Sequence, residues 1–151
     1  MEQALLEAEK AFQRKEIPVG AVIVFENKII GRGHNLIEAL QDPTAHAEMI
    51  AITSAANYLG SWRLNDTSIY VTLEPCPMCA GAILNSRINN LIFGAFDNRF
   101  GACGTVSNVL EKNGLNHQVN VIRGILQSKC ESILKDFFKN IRLNSSDVSL
   151  N

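Results

Sequence analysis

The order of hydrophobic and polar positions along the chain predicts helices that alternate with strands. Apolar side chains recur at helical spacing in 3–14 and 126–142, whereas 18–25 is a β-branched, apolar run typical of a buried strand. This alternation predicts a sheet with helices on both faces, and a right-handed parallel crossover from the strand 68–74 to the strand 90–95. The other predicted elements are strands at 28–33 and 119–124, a helix over 76–86, and a helix that begins after Asp42-Pro43-Thr44, with Thr44 as cap, and runs to about Leu59.

The chain divides into one long patterned part and a short polar end. The patterns extend over 1–143, and a chain of 151 residues suits one domain with one core. The last segment, 144–151, is polar and is predicted to be disordered.

Composition and charge argue against several classes of protein. Apolar residues make up 46% of the chain, as in globular domains, and no apolar run approaches the length of a membrane span. Glu2, Glu7 and Glu9 argue against a secretory signal, so we expect a cytoplasmic protein without a membrane partner. A net charge of −1 gives no global support for nucleic-acid binding. In the cytoplasm, four cysteines favour a metal or thiol role over disulfides.

Two short motifs carry the candidate chemistry: His46-Ala47-Glu48 and Pro75-Cys76-Pro77-Met78-Cys79. Cys76 and Cys79 lie three residues apart at the start of a predicted helix, so they share one face. The free N–H groups and the dipole of that first turn stabilise thiolates, which is the form that zinc binds. His46 opens a helix in the same way and is the natural third ligand. The alternatives are two buried helix cysteines and a surface or capping histidine.

The number of ligands separates a structural metal site from a catalytic one. A structural zinc site has four protein ligands, whereas a catalytic site has three and leaves a position for water. Side chains two positions apart on a helix, such as those of His46 and Glu48, differ by about 200° in direction. This favours Glu48 as an acid/base beside the metal over Glu48 as a ligand. The open, catalytic site is therefore predicted, since paired ligand spacing is lacking for every candidate fourth ligand: His34, His117, Cys103 and Cys130.

His-x-Glu followed by Pro-Cys-x-x-Cys is the motif pair of the zinc nucleobase deaminases. Over about 1–142 the chain resembles one branch of them, the bacterial tRNA adenosine deaminases. The resemblance is carried, in order, by PVGAVIV, GHN, DPTAHAEM, YVTLEPCPMCAGAI, FGAFDNRFGACGT and GLNHQV. It implies an α/β fold, namely a three-layer α-β-α sandwich with a central mixed five-stranded sheet, like that of cytidine deaminases.

The resemblance also implies an activity, the conversion of adenosine to inosine at the wobble position of a tRNA anticodon loop. It places one Zn²⁺ per subunit on His46, Cys76 and Cys79, and it makes Glu48 the proton shuttle for hydrolysis at C6 of adenine. It further implies a homodimer and, as partner, the anticodon stem-loop of an arginine-type tRNA.

Four further residues match family positions around the target nucleotide. By resemblance, Asn35 contacts the nucleotide and Asp97 lies near a 2′-hydroxyl of the RNA. Ile17 and Leu73 match apolar positions that line the base pocket. Taken alone, Asn35 is equally well a turn residue, Asp97 a loop cap, and the two apolar residues plain core.

Local positive charge offers candidates for contacts with RNA phosphates. Lys135, Lys139 and Arg142 lie four and three residues apart and form one stripe on the last helix, and Arg99 lies in a Gly-containing loop. A solvated helix face explains the stripe equally well. The end of this helix carries fewer basic residues than is usual in the family, which bears on the affinity for tRNA and not on the chemistry.

Two other functions are kept as hypotheses. A deaminase of a free nucleobase, guanine or cytosine, shares both motifs, and the near-neutral charge favours it slightly, whereas the FGAFD and GLNH segments favour the tRNA branch. A structural zinc module that binds a partner without catalysis needs a fourth ligand and leaves Glu48 without a role.

Overall fold

The structure is a computed structural model that describes residues 1–111 and 115–147. Within these ranges five strands form one sheet: β1 (Gly20–Phe25), β2 (Lys28–His34), β3 (Ser68–Leu73), β4 (Asn90–Ala95) and β5 (Asn120–Ile122). Their order in the sheet is β2-β1-β3-β4-β5. β1 pairs antiparallel with β2 and β3, whereas β3, β4 and β5 run parallel. The sheet is therefore mixed, as the sequence predicts.

The described ranges also contain five helices: α1 (Glu2–Gln13), α2 (Ile37–Leu40), α3 (Ala47–Leu59), α4 (Pro77–Asn85) and α5 (Gln127–Asp147). α1 and α5 pack together on one face of the sheet, with the rings of Phe12 and Phe137 5.6 Å apart. α3 and α4 cover the other face, where the main apolar core includes Ile23, Val71 and Phe93. The three-layer α-β-α arrangement is thereby confirmed.

A close approach between α3 and β2 places the start of α3 at the edge of the site. Gly33 lies under α3, and a Cβ atom there would overlap the carbonyl oxygen of Ala47. Glycine therefore lets the first turn of the helix rest directly on the strand. As a result His46 and Glu48, at the start of α3, come next to Asn35, which follows β2.

The structure departs most from the predicted elements at α2, α3 and α5. α2 is a short helix that the sequence pattern did not predict. α3 begins at Ala47, and Thr44 is not its cap: Asp42 Oδ1 accepts hydrogen bonds from the N–H of Thr44 at 2.8 Å and from its hydroxyl at 2.7 Å, which forms a turn instead. α5 continues past the predicted end at Arg142, because extending an existing helix adds one hydrogen bond for each residue fixed.

The tail predicted to be disordered, 144–151, lies only partly within the described residues. Positions 144–147 belong to α5, and 148–151 lie outside the described residues. Among the helices that the structure describes, none has the length and apolarity needed to cross a membrane.

Candidate active site

Two helix N-termini supply the metal-binding candidates. Cys76 follows β3 by three residues and is the N-cap of α4, where Pro77 takes the first helical position that suits proline. His46 is the N-cap of α3, and neither side chain caps its own helix. Instead the imidazole Nδ1 lies 3.8 Å from the sulfur of Cys76 and 3.6 Å from the sulfur of Cys79. The fold thus brings together the three residues that the spacing singled out.

The geometry of these donors fits a tetrahedral zinc ion. With Zn–S near 2.3 Å and Zn–N near 2.0 Å, adjacent sulfur and nitrogen ligands are about 3.5 Å apart. The three donor atoms all lie within 4.8 Å of one another. Within the described residues this cluster contains three candidate ligands, which is the number typical of a catalytic site with one open position.

The pKa values of the two thiols are shifted in opposite directions. The Cys79 thiol donates a hydrogen bond to the Cys76 sulfur, which lowers the pKa of Cys76 to about 4 and raises the pKa of Cys79. His46 also hydrogen-bonds to Cys76 and lowers the same pKa further. Cys76 is therefore a thiolate at neutral pH, and a divalent cation would take the place of the proton that the pair shares.

The candidates for a fourth ligand lie elsewhere and have other partners. Cys103 and Cys130 are fully buried, as expected for packing residues. His34 Nδ1 lies 3.1 Å from Glu7 Oε2, and His117 Nε2 lies 2.7 Å from the carbonyl oxygen of Ile88. These positions disfavour the structural zinc module, because its shell requires four protein ligands.

Glu48 is the second residue of α3 and is only 4% exposed. Burial raises the pKa of this carboxyl to about 7. A carboxyl that titrates near neutral pH can both accept and donate a proton under physiological conditions. Glu48 therefore has the acidity that a proton shuttle needs.

A cavity of about 460 Å³ opens onto these groups, within the usual range for small-molecule sites. We call the four residues His46, Glu48, Cys76 and Cys79 the floor. The cavity is lined by His46, Glu48 and Cys76 together with all four sequence-predicted substrate residues, namely Ile17, Asn35, Leu73 and Asp97.

The predicted substrate residues differ in exposure. Asn35 is only 5% exposed, and its N–H donates to the carbonyl of Val19 at 3.1 Å. Ile17 is 41% exposed at the mouth of the cavity, and Leu73 is half-buried at the end of β3. The two apolar residues are therefore part of the cavity wall and not only of the core.

Asp97 belongs to the rim loop, which we define as residues 96–105. Its Oδ1 accepts hydrogen bonds from the N–H groups of Arg99 at 2.8 Å and Phe100 at 3.1 Å. The interpretation of this residue as a loop cap is thus confirmed, and its side chain also lines the cavity. Both properties can hold at once, because the capping bonds use one carboxylate oxygen.

Glu74 is a functional candidate that the sequence analysis missed. Its carboxylate is 2% exposed and accepts hydrogen bonds from the rim loop: the N–H of Asp97 at 3.2 Å, the N–H groups of Cys103 and Thr105 at 3.1 Å each, and the Thr105 hydroxyl. The available signal was an acid at the end of a buried strand, one residue before the Pro-Cys motif. Glu74 holds the loop that carries Asp97 against the strand that leads to Cys76.

Glu16 has a similar role at another part of the cavity wall, and the sequence analysis missed it as well. This buried carboxylate accepts the N–H of Ala39 at 2.8 Å and the N–H of Glu38 at 3.3 Å. It therefore fixes α2, whose residue Ile37 lines the cavity, beside its own neighbour Ile17.

The basic candidates separate into two groups. Arg99 and Lys135 line a groove of about 620 Å³ that adjoins the cavity, with Lys135 Nζ 3.2 Å from Glu131 Oε2. Lys139 and Arg142 are exposed one and two turns further along α5, and Arg142 Nε donates to the carbonyl of Phe138 at 3.3 Å. The groove is thus positioned next to part of the predicted stripe.

Comparison with known proteins identifies the family. A family model described as MafB19-like deaminase matches residues 1–142. The tRNA-specific adenosine deaminase of Bacillus subtilis (strain 168) is 48% identical over 142 residues, which cover 94% of this chain and 88% of the relative. This chain belongs to the tRNA-specific adenosine deaminase family. Its counterpart in Streptococcus pyogenes serotype M18 is 47% identical over 142 residues, with 94% of this chain and 89% of the relative covered. The resemblance stated from the sequence is confirmed.

Solved structures place the fold in the same family. A structure from a study of A-to-I editing by tRNA:A34 deaminases matches with a TM-score of 0.84 and 43% identity, over 89% of this chain and 97% of that one. The guanine deaminase of Bacillus subtilis matches with a TM-score of 0.62 and 30% identity, over 93% of this chain and 90% of that one. The cytidine deaminase-like fold is confirmed, and the tRNA deaminase is the more similar of these two.

Proposed function

We propose that this enzyme hydrolyses adenosine to inosine at the wobble position of a tRNA anticodon loop, with zinc as its metal. The observation that carries the proposal is the floor itself. His46, Cys76 and Cys79 present one nitrogen and two sulfurs in zinc-like geometry, and a buried acid lies in the same cavity. The high identity to tRNA-specific adenosine deaminases supports RNA, and not a free base, as the substrate.

Zinc on His46, Cys76 and Cys79 would supply the Lewis acid that makes a water molecule nucleophilic at neutral pH. Glu48 accepts the proton of that water and delivers it to a ring nitrogen of adenine as C6 is attacked. It then takes the proton of the hydroxyl group now on C6 and transfers it to the departing amino group, so that the C6 carbonyl forms and water and adenosine yield inosine and ammonia. The near-neutral pKa of Glu48 suits both directions of transfer.

The walls of the cavity hold the base. A nucleobase deaminase needs a base that is splayed out of its stack. Ile17 and Leu73 offer apolar surface to the faces of the base, and the amide of Asn35 offers a donor and an acceptor to its polar atoms. Asp97, which lines the cavity at the rim, is the proposed partner of a ribose hydroxyl. We propose these four residues as the nucleotide site.

The partners extend this proposal. We propose a homodimer, which the half-buried apolar side chains of Met49 and Ile50 in a surface groove along α3 support. An arginine-type tRNA is the proposed substrate, and Arg99 and Lys135 are its proposed phosphate contacts near the cavity, with Lys139 and Arg142 further along α5. A tRNA substrate supports the cytoplasm as the place of action. Sedimentation of the purified protein tests the dimer.

A deamination assay tests the activity. The zinc-loaded protein is mixed with an arginine-type anticodon stem-loop that carries adenosine at the wobble position, and free adenine, guanine and cytosine are run in parallel. We expect inosine in the stem-loop and no ammonia from the free bases. Ammonia from guanine or cytosine, with the RNA left unchanged, would assign the enzyme to the free-base deaminases instead.

A further inference from the structure

Phe100 lies at the boundary between the cavity and the adjoining groove. The groove shares Ile17, Leu73, Asp97 and Phe100 with the catalytic cavity, so the two spaces are continuous at these residues. Phe100 is 66% exposed. Single exposed apolar side chains are common on proteins, and exposure by itself assigns no role. The position of this ring, at the exit from the catalytic cavity, is what points to a ligand.

The backbone that carries this ring is fixed on both sides. The N–H of Phe100 donates to Asp97 Oδ1 at 3.1 Å, and the N–H of Gly101 donates to the carbonyl of Asp97 at 3.0 Å. Ala102 donates to the carbonyl of Pro75 at 2.9 Å, and the buried carboxylate of Glu74 accepts from the loop on either side. The ring is therefore presented at a defined place, and its ordering on binding costs little beyond side-chain rotation.

The groove beyond Phe100 combines two features that suit a single nucleic-acid strand. Arg99 and Lys135 supply positive charge along it, and Phe96 and Phe138 supply further aromatic surface. Single-stranded RNA is commonly bound by aromatic side chains that stack on bases and by basic side chains along the backbone. A strand whose adenosine enters the cavity can continue into the groove past Phe100, because this ring borders both spaces.

We propose that Phe100 is a stacking platform for the nucleotide next to the target adenosine, and so contributes to the selection of a structured loop over a free base. This inference rests on the proposed function, since it requires RNA as substrate. It assigns the Phe100 ring a partner, the face of a neighbouring base, and it leaves the hydrolysis itself to the floor.

A double-mutant cycle between protein and RNA tests the stacking. Wild type and Phe100→Ala are compared on the intact stem-loop and on stem-loops that are abasic at the nucleotide before or after the target. Stacking predicts that Phe100→Ala lowers kcat/KM on the intact RNA by about 5- to 150-fold, mainly through KM. On the RNA that lacks the stacked base, the same substitution has little effect. Equal losses on all three RNAs would overturn the proposal.

Two further variants separate stacking from general damage to the loop. Phe100→Tyr keeps an aromatic face and is expected to retain near-wild-type kcat/KM. Phe100→Leu keeps only apolar bulk, and its kcat/KM is expected to fall most of the way to that of Phe100→Ala. Tyr58→Ala is the matched control, because Tyr58 is 64% exposed at the far end of α3 from His46. If Phe100→Leu matches wild type, the ring face has no role and the proposal is wrong.

Equilibrium binding gives a readout that does not depend on turnover. In the Glu48→Gln background, Phe100→Ala is expected to raise the Kd for a labelled stem-loop by a factor similar to its effect on KM. Turnover of the intact stem-loop by wild type distinguishes failure of the proposed function from failure of the stacking proposal. If wild type does not deaminate the stem-loop, the proposed function is wrong. If wild type deaminates it and Phe100→Ala leaves the Kd unchanged, only the stacking proposal is wrong.

Discussion

The floor of the cavity stands on two helix N-termini, whereas its rim consists of a loop and the short helix α2, each held in place by a buried carboxylate. His46 and Cys76 begin α3 and α4, so the position of the donor atoms follows from regular elements packed on the sheet. Hydrogen bonds to Glu74 hold the rim loop, and a hydrogen bond to Glu16 holds α2. Catalysis needs donor atoms placed to fractions of an ångström, and recognition needs surfaces that can vary. The difference predicts that substitutions in the floor stop the reaction, and that substitutions under the rim weaken substrate binding.

Removal of a metal ligand is expected to have the largest effect. Cys76→Ser should reduce the zinc content to near none and the deamination rate to background. Because a metal that binds only the folded chain stabilises it, Tm should fall by on the order of 10 °C. Metal analysis and thermal unfolding check this. A chelator should lower the Tm of wild type similarly and leave the variant unchanged; an unaffected wild type would mean that zinc contributes little to folding.

Loss of the proton shuttle is expected to stop turnover without loss of metal. Glu48→Gln should lower kcat by about 10³-fold or more and keep the zinc content of wild type. The exposed Glu9→Gln is the matched control, with unchanged kcat. Activity of Glu48→Gln close to that of wild type would refute the proposed role.

The same substitution should also change how stability depends on pH in the metal-free protein. Burial raises the folded-state pKa of Glu48 from 4.5 to about 7, so the folded state holds this proton more tightly than the unfolded state. The wild type therefore loses stability as pH rises between these values, by up to about 3 kcal/mol. Glu48→Gln lacks this loss and should be the more stable protein above pH 7 in urea unfolding. A parallel pH dependence in both proteins would contradict this assignment.

Substitution of the rim carboxylates is expected to act on binding. Glu74→Gln replaces an accepting oxygen with an NH₂ group and leaves a buried N–H of the rim loop without its acceptor, a cost of about 1–3 kcal/mol. We expect kcat/KM on the stem-loop to fall about 10- to 100-fold, mostly through KM, with normal zinc content. Glu16→Gln tests the hydrogen bonds that hold α2 in the same assay. Loss of zinc from either variant would show that floor and rim are not separate.

Substitution of Glu7, a buried carboxylate outside the cavity, is expected to have the smallest effect and serves as a control for the other substitutions. Glu7 lies 2.8 Å from Lys10 Nζ and 3.1 Å from His34 Nδ1. Burial raises the pKa of Glu7, but the hydrogen bonds from Lys10 and His34 outweigh it and leave the pKa lowered. The stability it gives is therefore present above the unfolded-state value of 4.5 and lost as pH falls through the lower folded-state value. Glu7→Gln should cost about 1 kcal/mol at neutral pH and less in acid, with kcat/KM unchanged. A change in kcat/KM would contradict the separation from the site.

The sequence by itself determined the elements with strong periodicity and the residues of the floor. The β-branched runs and the amphipathic helices lie close to their predicted ranges. His46, Cys76 and Cys79 could be found from the sequence, because two cysteines three residues apart at a helix start share one face and His46 begins a second helix. Glu48 followed from its position two residues after His46.

Only the tertiary structure decided the features that depend on partners distant in the chain. α2 has four residues, and its first N–H groups bond to Glu16, more than twenty positions earlier, so no local pattern predicts it. In the sequence, Glu74 cannot be distinguished from an ordinary charged residue, because its hydrogen-bond donors in 97–105 come close to it only in the folded chain. The end of α3 that carries His46 reaches Asn35 because Gly33 has no side chain, a contact between segments that helical and strand periodicity treat separately. Local patterns encode which backbone forms, whereas buried polar groups find their partners only when the chain has folded.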